Sequence, residues 1–98
     1  MSQLVWVVYD VTSDRVRKKV ADLCKRYGLY RVQKSVFLGK LEKSRLDELA
    51  LSSEKLIDET TDSVYMFPLC ESDFKRVKLL GHEFDRELVQ DRIRAVVV

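Results

Sequence analysis

One histidine, one proline, two cysteines and three glycines among 98 residues remove several function classes at the outset. His82 lies in a polar stretch beside Gly81, where it reads as a surface histidine, and with no second imidazole in the chain no Ser/His/Asp set is visible. The glycines form neither a phosphate-cradling loop nor a dinucleotide-binding fingerprint. Cys24 and Cys70 lack the paired spacing of a zinc or redox motif and fall on apolar positions, so both read as reduced core thiols with no disulfide. Runs of transmembrane length are missing, and the N-terminus enters an apolar segment with no basic stretch before it, as a signal peptide would require. The expectation is a cytoplasmic protein with no membrane partner.

What remains is an ordinary core-forming composition, 46% hydrophobic. A chain of this length reads as one domain over residues 1–98, able to bury roughly two-thirds of its unfolded surface. The net charge of +2 hides a segregation of sign. Residues 13–45 hold eleven Lys or Arg against three acids, +8, and the remainder holds seven against thirteen, −6. One cationic side favours a polyanion partner over a merely solvated helix face.

The chain is organised around Leu4-Val5-Trp6-Val7-Val8-Tyr9-Asp10, six apolar residues ending in a carboxylate. Such a short continuous run suits the centre of a sheet, and Asp10 then sits at the strand's C-terminal mouth, where ligands commonly bind. An Asp before a helix is also an ordinary turn or capping residue. Hydroxyls and an acid at Thr12-Ser13-Asp14 can cap a helix whose apolar series, Val16, Val20, Leu23, Cys24 and Tyr27, predicts residues 13–27, stopped by Gly28. Arg15, Lys18, Lys25 and Arg26 point away from that stripe, while Arg17 lies at its edge beside Cys24, near enough to reach over the sheet's rim.

The β-rich segment 29–39 slips its alternation at Gln33-Lys34, which predicts a bulge or two tightly joined strands ending at the Gly39 turn signal. A second helix is expected over residues 43–58, with Ser44 as cap and acidic residues Asp47, Glu48, Glu54 and Asp58 on its polar face. Residues 62–70 read as a strand that Pro68 restricts to an edge or to a place needing no ladder donor. Residues 74–80 read as a short basic strand, 84–90 as a weak helical turn, and 82–98 as a tail whose apolar end, Ala95-Val96-Val97-Val98, pairs with its own sheet or a partner's.

The order β, α, β, β, α, β plus an extra β predicts an α+β, ferredoxin-like βαββαβ sandwich with an additional C-terminal strand and both helices on one face. A monomer would leave Trp6, Val8 or Tyr9 exposed on the other face, which argues for a homodimer. A two-fold dimer with facing sheets brings two copies of Asp10 together, where a divalent cation would neutralise their repulsion. Mg²⁺ needs only one or two carboxylates, and Arg17 and Arg31 are available for a phosphate.

Val8-Tyr9-Asp10-Val11 before a basic helix, Tyr27-Gly28, Arg31-Val32-Gln33-Lys34-Ser35-Val36-Phe37 and Asp62-Ser63-Val64 together resemble the second core CRISPR-associated protein family, the small spacer-acquisition subunit. The likeness covers roughly residues 4–80 and is least from His82 onward. It implies a ferredoxin-like homodimer bound to the CRISPR integrase, with metal-dependent endonuclease activity on single-stranded RNA or on DNA, as in some members. It also implies Asp10 as the Mg²⁺ ligand, with Tyr9, Arg17, Arg31 and Phe37 at positions linked to activity or substrate contact. Nucleic acid, a DNA protospacer or RNA, would lie on Arg15, Arg17, Lys18, Lys19, Arg31 and Lys34.

Three alternatives stay open. One is a scaffold that holds duplex DNA between integrase subunits without cutting it. Another is a toxin-like RNA-cleaving protein of the same fold. An RNA-binding module of this topology is disfavoured by the lack of aromatic-rich strand signatures.

Overall fold

The computed structural model describes residues 2–78 and Leu80. Along these residues run β1 (Ser2–Asp10), α1 (Asp14–Arg26), β2 (Tyr30–Gln33), β3 (Val36–Glu42), α2 (Lys43–Leu56), β4 (Ser63–Leu69) and α3 (Glu71–Lys75). The four strands form one antiparallel sheet in the order β2-β3-β1-β4, which is the ferredoxin-like arrangement. The apolar N-terminal run is central, as its composition demands, and Pro68 lies on the edge strand β4, where its missing donor breaks no outer ladder.

Side-chain alternation divides β1 between two environments. Val5, Val7 and Tyr9 are buried beneath α1 and α2, packing with Val20, Ala21, Leu23, Cys24, Phe37, Leu41 and Leu49. Phe37 and Leu49 are wholly inaccessible, and each such side chain contributes about 1.5–3 kcal/mol of apolar burial. Leu4, Trp6 and Val8 face the other way, alongside Leu38 and Val36 of β3 and Phe67 and Tyr65 of β4. Tyr9 therefore belongs to the helix-covered face and not to the open one, because it shares the odd parity of Val5 and Val7.

Helix α1 begins at Ser13, whose hydroxyl accepts from the Val16 N–H at 3.3 Å, and Asp14 adds negative charge to its first turn. It ends where Gly28 takes φ +82°, a conformation that disfavours side chains. Helix α2 opens at Glu42 without a side-chain cap, so Ser44 lies within its first turn rather than before it. The helix stops at Leu56, leaving Asp58 in the following loop.

The β-rich segment resolves into both of its expected irregularities, a register shift between Arg31 and Gln33 and a tight turn at Lys34-Ser35. Gly39 does not end a strand. It is buried inside β3 opposite Val5, and a Cβ there would lie 2.5 Å from Leu29 Cδ2, so its role is close approach rather than turning.

The expected basic strand over 74–80 does not form among the described residues: Phe74 and Lys75 close the short helix α3, and Arg76 to Lys78 follow it as turn and irregular chain. Acidic Glu71 and Asp73 suit the first turn of α3, and Phe74 is drawn onto the open face, where its ring stacks on Trp6 at 6.0 Å. Phe74 joins Leu4, Val32 and Leu38 in a second, smaller core. Cys70 precedes this helix and is exposed, with its thiol 3.1 Å from Asp73 Oδ2, so it is no core thiol. The expected turn at 84–90 and the apolar run at the C-terminus lie outside the described residues.

Candidate nucleic-acid and metal site

Asp10 is the last residue of the central strand, is exposed, and stands opposite Ser63 of β4. Its parity matches Trp6 and Val8, which directs the carboxylate to the open side of the sheet. At the same end of that face a groove of about 550 Å³ is lined by Val8, Gln33, Lys34, Ser35 and Val36. Beyond it the open face carries the stacked pair Tyr65 and Phe67, 55% and 49% exposed.

The aromatic residues beside Asp10 lie under the helices instead. Tyr9 is 2% exposed and stacks on Phe37 with ring centroids 6.2 Å apart, and its hydroxyl donates to the Lys34 carbonyl at 3.3 Å. Its backbone N–H donates to the Ser35 carbonyl at 3.0 Å, so Tyr9 ties β1 to the β2–β3 turn at two points. Arg31 is exposed on the outer strand β2, and its guanidinium covers Phe37 at 5.2 Å from the ring centroid. Tyr9, Phe37 and Arg31 thus form a stack on the helix side, and Asp10 is not part of it.

Arg17 does not reach over the sheet. It pairs with Asp14 one turn earlier on α1, the first place where a carboxylate comes within its reach. Arg15, Lys18, Lys19, Lys25 and Arg26 are exposed along the same helix, and Lys34 is exposed in the turn between β2 and β3. The cationic surface is therefore α1 plus the β2–β3 turn, flanking the end of the sheet where Asp10 sits.

Burial pushes the Cys24 thiol up to about 11, partly offset by the Arg31 charge. A thiol held neutral in this way is a poor nucleophile. Asp58 and Asp62 sit in the loop before β4, and hydrogen bonds hold both carboxyls below the usual carboxylate range. For Asp58 the hydroxyl of Thr60 dominates, and for Asp62 the Thr12 N–H does.

Sequence reasoning did not foresee the bridge this loop makes. Asp62 Oδ1 accepts from the Thr12 N–H at 3.0 Å and from its hydroxyl at 3.1 Å, joining positions 50 apart in the chain. The only hint was a short acidic residue just before a strand, a common place for side chains that bond loop backbone. Arg45 was also unforeseen. From the first turn of α2 it covers the Tyr27 ring at 4.5 Å and fastens the end of α1.

As a metal-binding group, Asp10 offers one hard oxygen donor facing solvent. Among the described residues no three His, Cys, Asp or Glu side chains gather into a cation cluster. A lone carboxylate fits Mg²⁺, which retains several waters, and fits it as half of a site that a second subunit would complete.

This combination defines a class: a small ferredoxin-like α+β protein with an exposed carboxylate ending its central strand and a basic helix following it. The family described as CRISPR associated protein Cas2 matches residues 2–77, and the chain belongs to that family. A protein of Korarchaeum cryptofilum named CRISPR-associated endoribonuclease Cas2 is 39% identical over 80 residues, spanning 79% of this chain and 83% of that one. A Desulforudis audaxviator protein of the same name is 36% identical over 74 residues, 76% and 70% of the two chains. Among solved structures, Streptococcus pyogenes Cas2 superposes with a TM-score of 0.69 at 34% identity, covering 80% of this chain and 99% of that one. A hypothetical protein from Thermus thermophilus gives 0.71 at 33% identity, covering 84% and 94%.

Proposed function

We propose that this protein is a CRISPR adaptation subunit that holds nucleic acid as a homodimer and cleaves phosphodiester bonds with Mg²⁺ at Asp10. The observation that carries the reading is the position of Asp10, exposed on the open sheet face at the end flanked by the basic α1. Family membership supports it, since relatives are named endoribonucleases. One relative, from Thermoproteus tenax, is named a CRISPR-associated endonuclease Cas1/endonuclease Cas2 fusion and is 50% identical over 46 residues, 17% of its length. That fusion supports the CRISPR integrase as the partner.

In this reading Asp10 and its twin on a second subunit would be the residues that hold the cation. A bound Mg²⁺ would supply charge neutralisation at the scissile phosphate and a bound water of lowered pKa. Arg15, Lys18, Lys19 and Lys34 hold phosphates by charge, whereas Arg31, braced on Phe37, presents a fixed fork. Arg17 engages phosphate after exchanging Asp14 for it. Tyr9 and Phe37 act from beneath, by keeping β1 and the Arg31 platform in register. The open face, with Trp6, Val8, Tyr65 and Phe67 only partly covered, favours a second copy as its cover.

The deciding experiment compares wild type with Asp10→Ala for Mg²⁺-dependent cleavage, for nucleic-acid binding and for spacer integration with the integrase, after light scattering has confirmed that both dimerise. Cleavage is expected to vanish, and binding and integration to persist, because the cationic surface recognises phosphates without a metal. Cleavage that survives in Asp10→Ala overturns the catalytic assignment. Integration that collapses in a folded dimer overturns the expectation that integration needs only the cationic surface and not Asp10. A salt titration adds a check, since affinity should fall with a log-log slope of about −0.9 per neutralised duplex phosphate.

A further inference from the structure

We propose that Asp62 is a positioning residue for Asp10, a strut that fixes the chain just after the metal-binding carboxylate. The inference rests on the reading of Asp10 as the cation ligand. Asp10 is followed by three residues, Val11, Thr12 and Ser13, before α1 starts, and the direction of its side chain depends on how that short link is held. On one side the strand pairing sets Asp10 against Ser63. On the other, Asp62, immediately before Ser63, binds Thr12 through both its N–H and its hydroxyl.

The strut is itself braced. Asp62 Oδ2 accepts from the Asp58 N–H at 3.0 Å, and the Asp62 N–H donates to the Asp58 carbonyl at 2.8 Å. Asp58 in turn accepts from the Thr60 N–H and hydroxyl at 3.0 and 2.6 Å. The loop before β4 is thereby closed on itself, so a shift of Thr12 has to break several bonds at once. Because Ser13 caps α1 directly after Thr12, and its carbonyl accepts from the Arg17 N–H at 2.8 Å, the same contact sets where the basic helix starts relative to Asp10. Partners bonded directly to a metal ligand change metal affinity about 10–100-fold when removed, and Asp62, which holds Asp10 one step further out through Thr12, should lie at the low end of that range.

The test uses full-length protein well below its melting temperature, with Mn²⁺ binding followed by electron paramagnetic resonance and cleavage followed against Mg²⁺ concentration. Asp62→Ala should raise the Mn²⁺ concentration for half-occupancy about tenfold and raise the Mg²⁺ requirement for cleavage in parallel. Maximal cleavage at saturating Mg²⁺ and nucleic-acid affinity should stay near wild type. A lowered melting temperature with unchanged Mn²⁺ binding would mean a purely structural residue and overturns the proposal. If Asp62→Ala does not fold, Thr12→Val decides, because it deletes one of the two bonds to Asp62. A rise of about two- to threefold in the Mn²⁺ requirement supports the strut, on the scale of one weak hydrogen bond, and no rise overturns it. Should Asp10→Ala bind Mn²⁺ as wild type does, the assignment of Asp10 fails and the positioning role falls with it; Asp10→Ala losing Mn²⁺ while Asp62→Ala keeps it removes the strut alone.

Discussion

The guanidinium of Arg31 lies over the ring of Phe37, 5.2 Å from its centroid, and Phe37 in turn stacks on Tyr9 at 6.2 Å. Core and surface are joined here through one aromatic side chain, since Phe37 is fully buried while Arg31 is exposed. Phe37→Leu should keep the fold and lose the cation–π contact, worth about 0.5–1 kcal/mol at an exposed site. The expected result is nucleic-acid affinity weaker by about two- to fivefold. Tyr9→Phe, which removes the bond to Lys34, should cost about 0.5–1.5 kcal/mol of stability with cleavage retained. Denaturant unfolding and a cleavage assay, run on both variants and wild type, check the pair.

Gly39 faces Leu29 within the helix-covered core, and an added Cβ would lie 2.5 Å from Leu29 Cδ2 and 3.2 Å from its Cα. The side-chain methyl can move aside, but the backbone atom cannot do so easily. Gly39→Ala should therefore destabilise by about 1–3 kcal/mol through overpacking. Leu29→Ala, which trims those methyls from a buried position, destabilises on its own, and the two losses should be less than additive in the double variant, as measured by a double-mutant cycle of thermal unfolding.

Ser53 is buried in α2, and among the described residues its hydroxyl has no hydrogen-bond partner. An unpaired buried hydroxyl is a standing cost, and alanine is also the better helix former. Ser53→Ala should raise stability by up to about 1 kcal/mol, measured by urea titration, with cleavage and binding unchanged.

Asp58 and Asp62 titrate below the ordinary carboxylate value because hydrogen bonds favour their charged forms. A carboxyl depressed on folding contributes stability that is fully present above its unfolded pKa, about 4. That contribution is lost as pH falls through the lower, folded value. Stability should accordingly decline below about pH 4, and Asp62→Asn should flatten this acid limb by lowering the plateau above about pH 6, where the wild-type contribution is fully present, while converging with wild type at the acid end. Melting temperatures recorded from pH 2.5 to 7, roughly bracketing the carboxylate range, provide the measurement.

Much of this architecture was written in local pattern. An uninterrupted β-branched and aromatic run requires two covered faces, which made β1 central, and the 3.6-residue stripe from Val16 to Tyr27 fixed α1 and the outward side of its lysines and arginines. The slip at Gln33-Lys34 announced the β2–β3 turn. The segment after β4 read less well, because a helix of five residues, Glu71–Lys75, is too short to display a period of its own. What settled α3 was the Trp6 ring awaiting Phe74 across some 68 residues of chain. Gly39 misled for a related reason: glycine marks a turn locally, but here it answers to Leu29 in a neighbouring segment.

The sequence by itself determined the order of the first six elements, the exposed carboxylate at the end of the first strand, the segregation of positive charge onto the first helix and the family. Each of these depends on residue type and short-range spacing. Tertiary structure alone decided that Tyr9 and Phe37 lie under the helices while Asp10 faces the open side, that Arg17 is engaged by Asp14, and that Asp62 reaches Thr12. Strand parity and register fix which face a side chain takes, and a hydrogen bond between residues 50 positions apart exists only after the sheet has brought their loops together.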